Sequence, residues 1–169
     1  SSQARVDSYR MRFGNLKPDD RTRLMEAMGR MAAYHWRTID TPGMTVAQIA
    51  AHARRSKRRE GLDILIIDYL NLIEPDSNHD SRQEQVAKIS RRLKLLAKEL
   101  QIPIVCLCQL NRLTETAKEN KPRLSHLRES GAIEQDADIV IFCHRPAYYT
   151  NANTPPCTSE NADLIVGKH

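Results

Sequence analysis

The feature that most limits the fold is a nearly continuous apolar run from Leu62 to Tyr69, centred on Asp63-Ile-Leu-Ile-Ile67-Asp68. An apolar stretch without polar alternation has the pattern of a strand buried on both faces of a parallel sheet. Comparable runs follow at Ile104 to Gln109, at Asp138 to Phe142 and at Ala162 to Val166. Between the first two lies Ser81-x-x-Glu84, a capping box. It opens the strongest predicted helix, with Val86, Ile89, Leu93, Leu96 and Leu100 on one face. Upstream, Pro18 to His35 predicts a helix with Leu24, Met28, Met31 and His35 along one stripe. Trp36 to Asp40 is short and β-like, Thr41-Pro-Gly43 is a turn, and Thr45-x-x-Gln48 opens a helix that stops before Gly61. The polar stretches Thr114 to Pro122 and Pro146 to Pro156 read as loops. Strands alternating with helices predict an α/β fold with a mainly parallel sheet. At 169 residues and without internal repeats, the chain is expected to form one domain, 1–169.

Composition narrows the class of protein. Charged residues make up 28% and hydrophobic ones 40%, with only 8 Pro and 6 Gly, which excludes disordered and collagen-like chains. No apolar run approaches the ~20 residues of a membrane span, and no signal peptide is evident, so a soluble intracellular protein without a membrane partner is expected. Lys and Arg number 26 against 21 acidic residues, and the resulting +5 charge favours an acidic partner such as nucleic acid or nucleotide. Cys106 and Cys108, two apart on one strand, share a face. Together with Cys143 and Cys157 they are expected as buried reduced thiols rather than as a metal site.

Asp68 is the first candidate for chemistry. A carboxylate at the carboxyl end of an aliphatic strand sits where open α/β sheets bind ligands. It can hold Mg²⁺ beside phosphates, or simply cap its strand. Gln109 ends the next strand in the same way. Its amide can contact a terminal phosphate, or be an ordinary polar strand end. Arg54-Arg-Ser-Lys-Arg-Arg59 and Arg91-Arg92-x-Lys94 lie on helices and read as solvated faces or as binding surfaces. Leu127-Arg-Glu-Ser-Gly131 is a charged turn where Arg128 and free N–H groups beside Gly131 could grip a phosphate. The chain contains no G-x-x-x-x-G-K-[ST] phosphate loop, no defensible Ser-His-Asp arrangement and no His-Glu-x-x-His helix.

In order and spacing, four segments resemble the C-terminal ATPase domain of the DnaB family of bacterial replicative DNA helicases. They are Ile64-Leu-Ile-Ile-Asp68-Tyr-Leu-Asn-Leu72, Ile89-Ser-Arg-Arg-Leu-Lys-Leu-Leu-Ala-Lys-Glu-Leu100, Gln109-Leu-Asn-Arg112 and Leu127-Arg-Glu-Ser-Gly-Ala-Ile-Glu-Gln-Asp-Ala-Asp138. The resemblance covers nearly the whole chain. It implies a RecA-like NTPase core that assembles into a homohexameric ring and hydrolyses ATP with Mg²⁺ while moving on single-stranded DNA. Asp68 falls on the Walker B aspartate, which organises Mg²⁺ through water, and Gln109 on the sensor of the terminal phosphate. Arg128, Glu129 and Gly131 fall on the loop that contacts DNA in the channel. Lys168 matches a lysine that reaches the neighbouring subunit's nucleotide, and Arg145 is retained among the nucleotide-binding residues. Primase and a helicase loader are the implied partners, and the cytoplasm the implied compartment.

The departures are Asn71, where the family usually has Gln, and His144-Arg-Pro-Ala-Tyr-Tyr149, which lacks the family's acidic pair. The resemblance also implies that the chain starts downstream of the phosphate-loop strand and of the water-activating glutamate. The arginine finger, worth a factor of ~10³–10⁵ in related chemistry, is expected two residues beyond His169. The chain alone is therefore expected to be inactive. A second reading is a non-catalytic relative that binds DNA or helicase subunits, and an upstream G-x-x-x-x-G-K-[ST] in the reading frame separates the two.

Overall fold

The computed structural model describes residues 3–77, 79–110, 121–146 and 162–169, with the backbone alone at 128–130. The predicted loop 114–122 falls largely outside these residues, as do Cys157 and the loop 146–156 beyond Pro146. The chain divides into two compact units, residues 1–40 and 41–169.

In the first unit, α1 (Ser8–Phe13) precedes α2 (Pro18–Ala32). Asp7 caps α1, its carboxylate accepting from the Tyr9 N–H at 2.7 Å. The apolar stripe of α2 differs from the predicted one. Leu24, Ala27 and Met31 turn inward, whereas Met28 is exposed and His35 lies past the helix end. Ala27 is small enough to let Ala4 and Val6 pack closely against it, together with Leu16 and Leu24. Trp36 to Asp40 is not a strand, and Trp36 is exposed.

The same inward row begins at Asp20, which is only 1% exposed. Its carboxylate accepts from the Lys17 N–H at 3.1 Å, from Arg23 Nη2 at 2.7 Å and from Arg10 Nη1 at 3.4 Å. The Lys17 N–H, helped by the two guanidiniums, holds the carboxyl below its usual range against the opposing effect of burial. A depressed folded-state pKa stabilises the unit above the ordinary carboxylate range of about 4. That stability is lost as pH falls through the folded value. Asp20→Asn is therefore expected to lower the melting temperature at pH 7 and to flatten the loss between pH 5 and pH 3. Thermal melts across that range check it, and parallel curves for both proteins would refute the assignment.

The second unit carries the predicted alternation. Its elements are α3 (Val46–Arg59), β1 (Leu65–Ile67), α4 (Arg82–Leu100), β2 (Ile104–Cys106), α5 (Gly131–Asp136), β3 (Val140–His144) and β4 (Asp163–Lys168). Both capping boxes form. The Thr45 N–H donates to Gln48 Oε1 at 2.8 Å, and the Ser81 N–H to Glu84 Oε2 at 2.8 Å. The inward face of α4 is Val86, Ile89, Leu93, Leu96 and Leu100, as its spacing predicts. Val86, Ile89 and Leu93 pack with Val46, Leu70 and Ile73. Leu96 and Leu100 pack with Ala50, Ala53 and Ile102. Each buried Val, Leu or Ile among them contributes roughly 1.5–3 kcal/mol.

β1 and β2 pair in parallel, with Leu65 opposite Ile104 and Ile67 opposite Cys106. β3 and β4 form a separate antiparallel pair, so the last strand departs from the parallel arrangement. The strands also differ from the double-faced burial predicted for them. Leu65, Ile67, Ile104 and Cys106 pack on the helical core, while Ile64, Ile66, Val105 and Leu107 are exposed among the described residues. On the second pair Ile139, Ile141, Leu164 and Val166 are likewise exposed. The period of two in a strand explains the split, since one layer of helices can cover only alternate side chains.

Candidate nucleotide and DNA site

The carboxyl edge of the β1–β2 pair is built by Leu107. Its N–H donates to the Ile67 carbonyl at 3.0 Å, and its carbonyl accepts from the Leu70 N–H at 2.9 Å. Asp68 and Tyr69 lie between these two anchors, and the peptide joining them is cis. Buried Leu70 begins the short 3₁₀ turn Leu70–Leu72 and pins the chain beneath the edge. Asp68 is left exposed, with no hydrogen bond or ion pair from its carboxylate to any described residue. Gln109, two residues past Leu107, is exposed at the same edge. An acid and a neutral amide thus stand together at the carboxyl ends of parallel strands, where open α/β sheets place ligands.

The cysteines depart from full burial. Cys106 and Cys108 are half-buried on one face, and Cys143 is exposed. Burial, reinforced by Cys108, pushes the Cys106 thiol up to about 12, and burial raises Cys108 as well. Both shifts favour the protonated thiol.

The second candidate region is the chain from Leu124 to Asp138. Residues Leu124–Ser130 form a 3₁₀ segment kinked at buried Leu127, and α5 follows directly. The His126 ring accepts from the Arg123 N–H at 3.1 Å and closes the start of the segment. The side chains of Arg128 and Glu129 lie outside the described residues. Gly131 is exposed, and a Cβ there would meet nothing within 4 Å. Packing does not require glycine at this place.

The second basic stretch is paired throughout within the chain, and the first at Arg54 and Lys57. Arg91 pairs with Asp136 at 3.1 Å, Arg92 with Asp76 and Lys94 with Asp138, whose carboxyl Lys94 holds below its usual range. Arg54 forms a two-pronged pair with Glu99 at 2.6 and 2.7 Å, which raises the guanidinium pKa and lowers that of the carboxyl. Lys57 Nζ donates to the Leu62 carbonyl at 3.0 Å. The sequence marked these cations but not their acids. The pairing of Arg91 and Lys94 with Asp136 and Asp138 spans more than forty residues and leaves no local pattern.

Lys168 lies at the end of the β3–β4 ladder, where it pairs with Val140. The next pair is Ile141 with Val166, so Gly167 is an extra residue and the ladder bulges there. An ideal Cβ on Gly167 would lie 2.4 Å from Cε2 of Phe142, which only glycine avoids. The bulge sends Lys168 toward α5, where Nζ donates to the Glu134 carbonyl at 2.6 Å and to that of Gln135 at 3.4 Å. Arg145 follows His144, which pairs with Asp163 at the other end of the ladder. The structure thus places Asp68 and Gln109 past the carboxyl ends of adjacent parallel strands and joins Lys168 to α5, but sets Arg145 and Lys168 at opposite ends of the β3–β4 pair.

The model of the family described as DnaB-like helicase C terminal domain matches residues 1–169. The chain belongs to that family. A replicative DNA helicase DnaB of Leifsonia xyli subsp. xyli is 46% identical over 169 residues, covering 100% of this chain and 36% of that protein. Two solved structures superpose with a TM-score of 0.88 at 35% identity over 99% of this chain. One, described as an ATPase domain, is covered to 59%. The other, a DnaB-like replicative helicase described with its interactions with primase, is covered to 40%. The chain therefore spans about a third of the curated relative's length and has the α/β architecture of DnaB-like ATPase domains.

The Gly167 bulge carries a prediction. Gly167→Ala is expected to destabilise the β3–β4 pair by about 1–3 kcal/mol, because the Phe142 ring must move. Phe142→Leu should recover part of the loss, so that the double variant is less damaged than the sum of the single ones. Denaturant melts of the four proteins check this, and strict additivity would show that the close approach is not the cause.

Proposed function

We propose that the protein containing this chain is an ATP-dependent replicative DNA helicase, and that residues 1–169 are part of its RecA-like ATPase domain. In this reading it hydrolyses ATP to translocate on single-stranded DNA and to unwind duplex at the replication fork. The observation that carries the reading is the shared edge of Asp68 and Gln109, with an exposed carboxylate unpaired among the described residues.

The donor set suits magnesium nucleotide. Among the described residues no group of three or more His, Cys, Asp or Glu could hold a metal. Mg²⁺ needs no such cage, being held elsewhere by one or two carboxylates, waters and substrate phosphates. Bound there, the ion would neutralise charge on the phosphates. Asp68 would orient it through a water, and the Gln109 amide would donate to the terminal phosphate. Lys168 would reach a phosphate in a neighbouring copy, and Arg145 would contribute to nucleotide binding. Arg128, Glu129 and Gly131 would meet the DNA backbone, where contacts position the strand without reading bases.

The assembly proposed is a homohexameric ring around single-stranded DNA, acting in the cytoplasm with primase and a helicase loader. The primase named with one similar structure supports that partner. No helix among the described residues is long and apolar enough to cross a membrane.

In the full-length protein, Asp68→Asn is expected to cut ATP hydrolysis by about 10–100-fold, the usual scale for a residue acting on a metal through its outer shell. Steady-state turnover near that of the wild type would remove Asp68 from the nucleotide site. For the DNA loop, Arg128→Ala should weaken single-stranded DNA binding about equally for all sequences. The salt slope should fall by about 0.7 for each phosphate that the variant no longer neutralises. Titrations at several salt concentrations, run beside a thermal melt, decide the point. An unchanged slope with a lowered melting temperature would mean that Arg128 only shapes its loop.

A further inference from the structure

Three cations hold α5 in place. From α4, Arg91 pairs with Asp136 at the last residue of α5 and Lys94 with Asp138 just beyond it. Lys168 comes from β4 and binds main chain instead, at the carbonyls of Glu134 and Gln135. The last carbonyls of a helix have no partner inside the helix. Here the Ala137 N–H bonds the Ile133 carbonyl, which leaves the next two oxygens to Lys168. The ammonium thus closes the carboxyl end of α5, while the amino end continues directly from segment 128–130. At six residues the helix is shorter than two turns, so its carboxyl end lies close to that segment.

The partner of Lys168 is neutral, and this has a chemical consequence. Hydrogen bonds between an ammonium and a phosphate or carboxylate are stronger than those to an uncharged oxygen. A phosphate within reach would therefore draw Lys168 away from α5. The side chain is half-buried, and the residue sits on a bulge at the end of its ladder, where a change of direction disturbs few strand bonds. We propose that Lys168 is shared between two positions: the carbonyls of Glu134 and Gln135, where it is a positioning residue for segment 128–131, and a nucleotide phosphate of a neighbouring copy. Phosphate binding by Lys168 then frees the carboxyl end of α5, and the DNA-facing segment senses the nucleotide through one ammonium. The second position rests on the reading of Lys168 under Proposed function; the first is the observed geometry.

The test uses the full-length protein with Lys168→Met, which keeps the length of the side chain and removes its donors, and Lys168→Arg, which keeps donors. Hydrogen exchange over residues 131–138 is measured with and without a non-hydrolysable ATP analogue, alongside nucleotide affinity. Without nucleotide, Lys168→Met should exchange about ten- to a hundredfold faster in this segment, the scale of a lost charged hydrogen bond, and Lys168→Arg should not. In the wild type the analogue should raise exchange there, and in Lys168→Met it should add nothing further. Wild-type exchange in Lys168→Met without nucleotide would overturn the proposal even if hydrolysis were lost, leaving Lys168 a role at the phosphate alone. Faster exchange with unchanged nucleotide affinity would also overturn the sharing, by removing the phosphate position and leaving only the clamp.

Discussion

Parallel strands cannot be joined by a tight turn, so the pairing of β1 with β2 obliges the chain to cross over between them. The crossover is α4, and most of the larger unit depends on its two faces. The apolar face covers one side of β1 and β2 and meets α3 at Ala50 and Ala53, where small side chains let the helices approach. The polar face offers Arg91 and Lys94 to the acids at and after the end of α5. One helix therefore relates the Asp68–Gln109 edge to the segment entering α5, although the two regions share no strand.

What was legible in the sequence was local. The capping boxes at Thr45 and Ser81, the 3.6-residue spacing of α4 and the position of Asp68 at a strand end all follow from residues within a few places of one another. The misread features need distant information. The stripe of α2 turns on Ala27 rather than Met28, because closeness to Ala4 and Val6 outweighs side-chain size. An apolar run says that a strand is able to be covered twice, not that a second layer lies against Ile66 and Val105. The direction of β4 is also absent from its apolar run, since parallel and antiparallel strands can share that composition.

The candidate site divides along the same line. The placement of Asp68 and Gln109 at strand ends was legible because each polar residue closes an apolar run. The engagement of Lys168 could not, because backbone carbonyls carry no signature in the sequence. It also depends on Gly167 being one residue out of step with the opposing strand. Arg145 and Lys168 are both implied by the resemblance as nucleotide-binding residues, and only the register of the ladder shows that they lie at its opposite ends.

The bulge also restricts how this chain can diverge. Every replacement of Gly167 introduces a Cβ where the Phe142 ring already stands. A lineage can therefore change position 167 without penalty only after position 142 has accepted a smaller side chain. The reverse order passes through a damaged intermediate. The two positions should drift as a pair with a fixed order of events, and the direction of Lys168 is inherited with them.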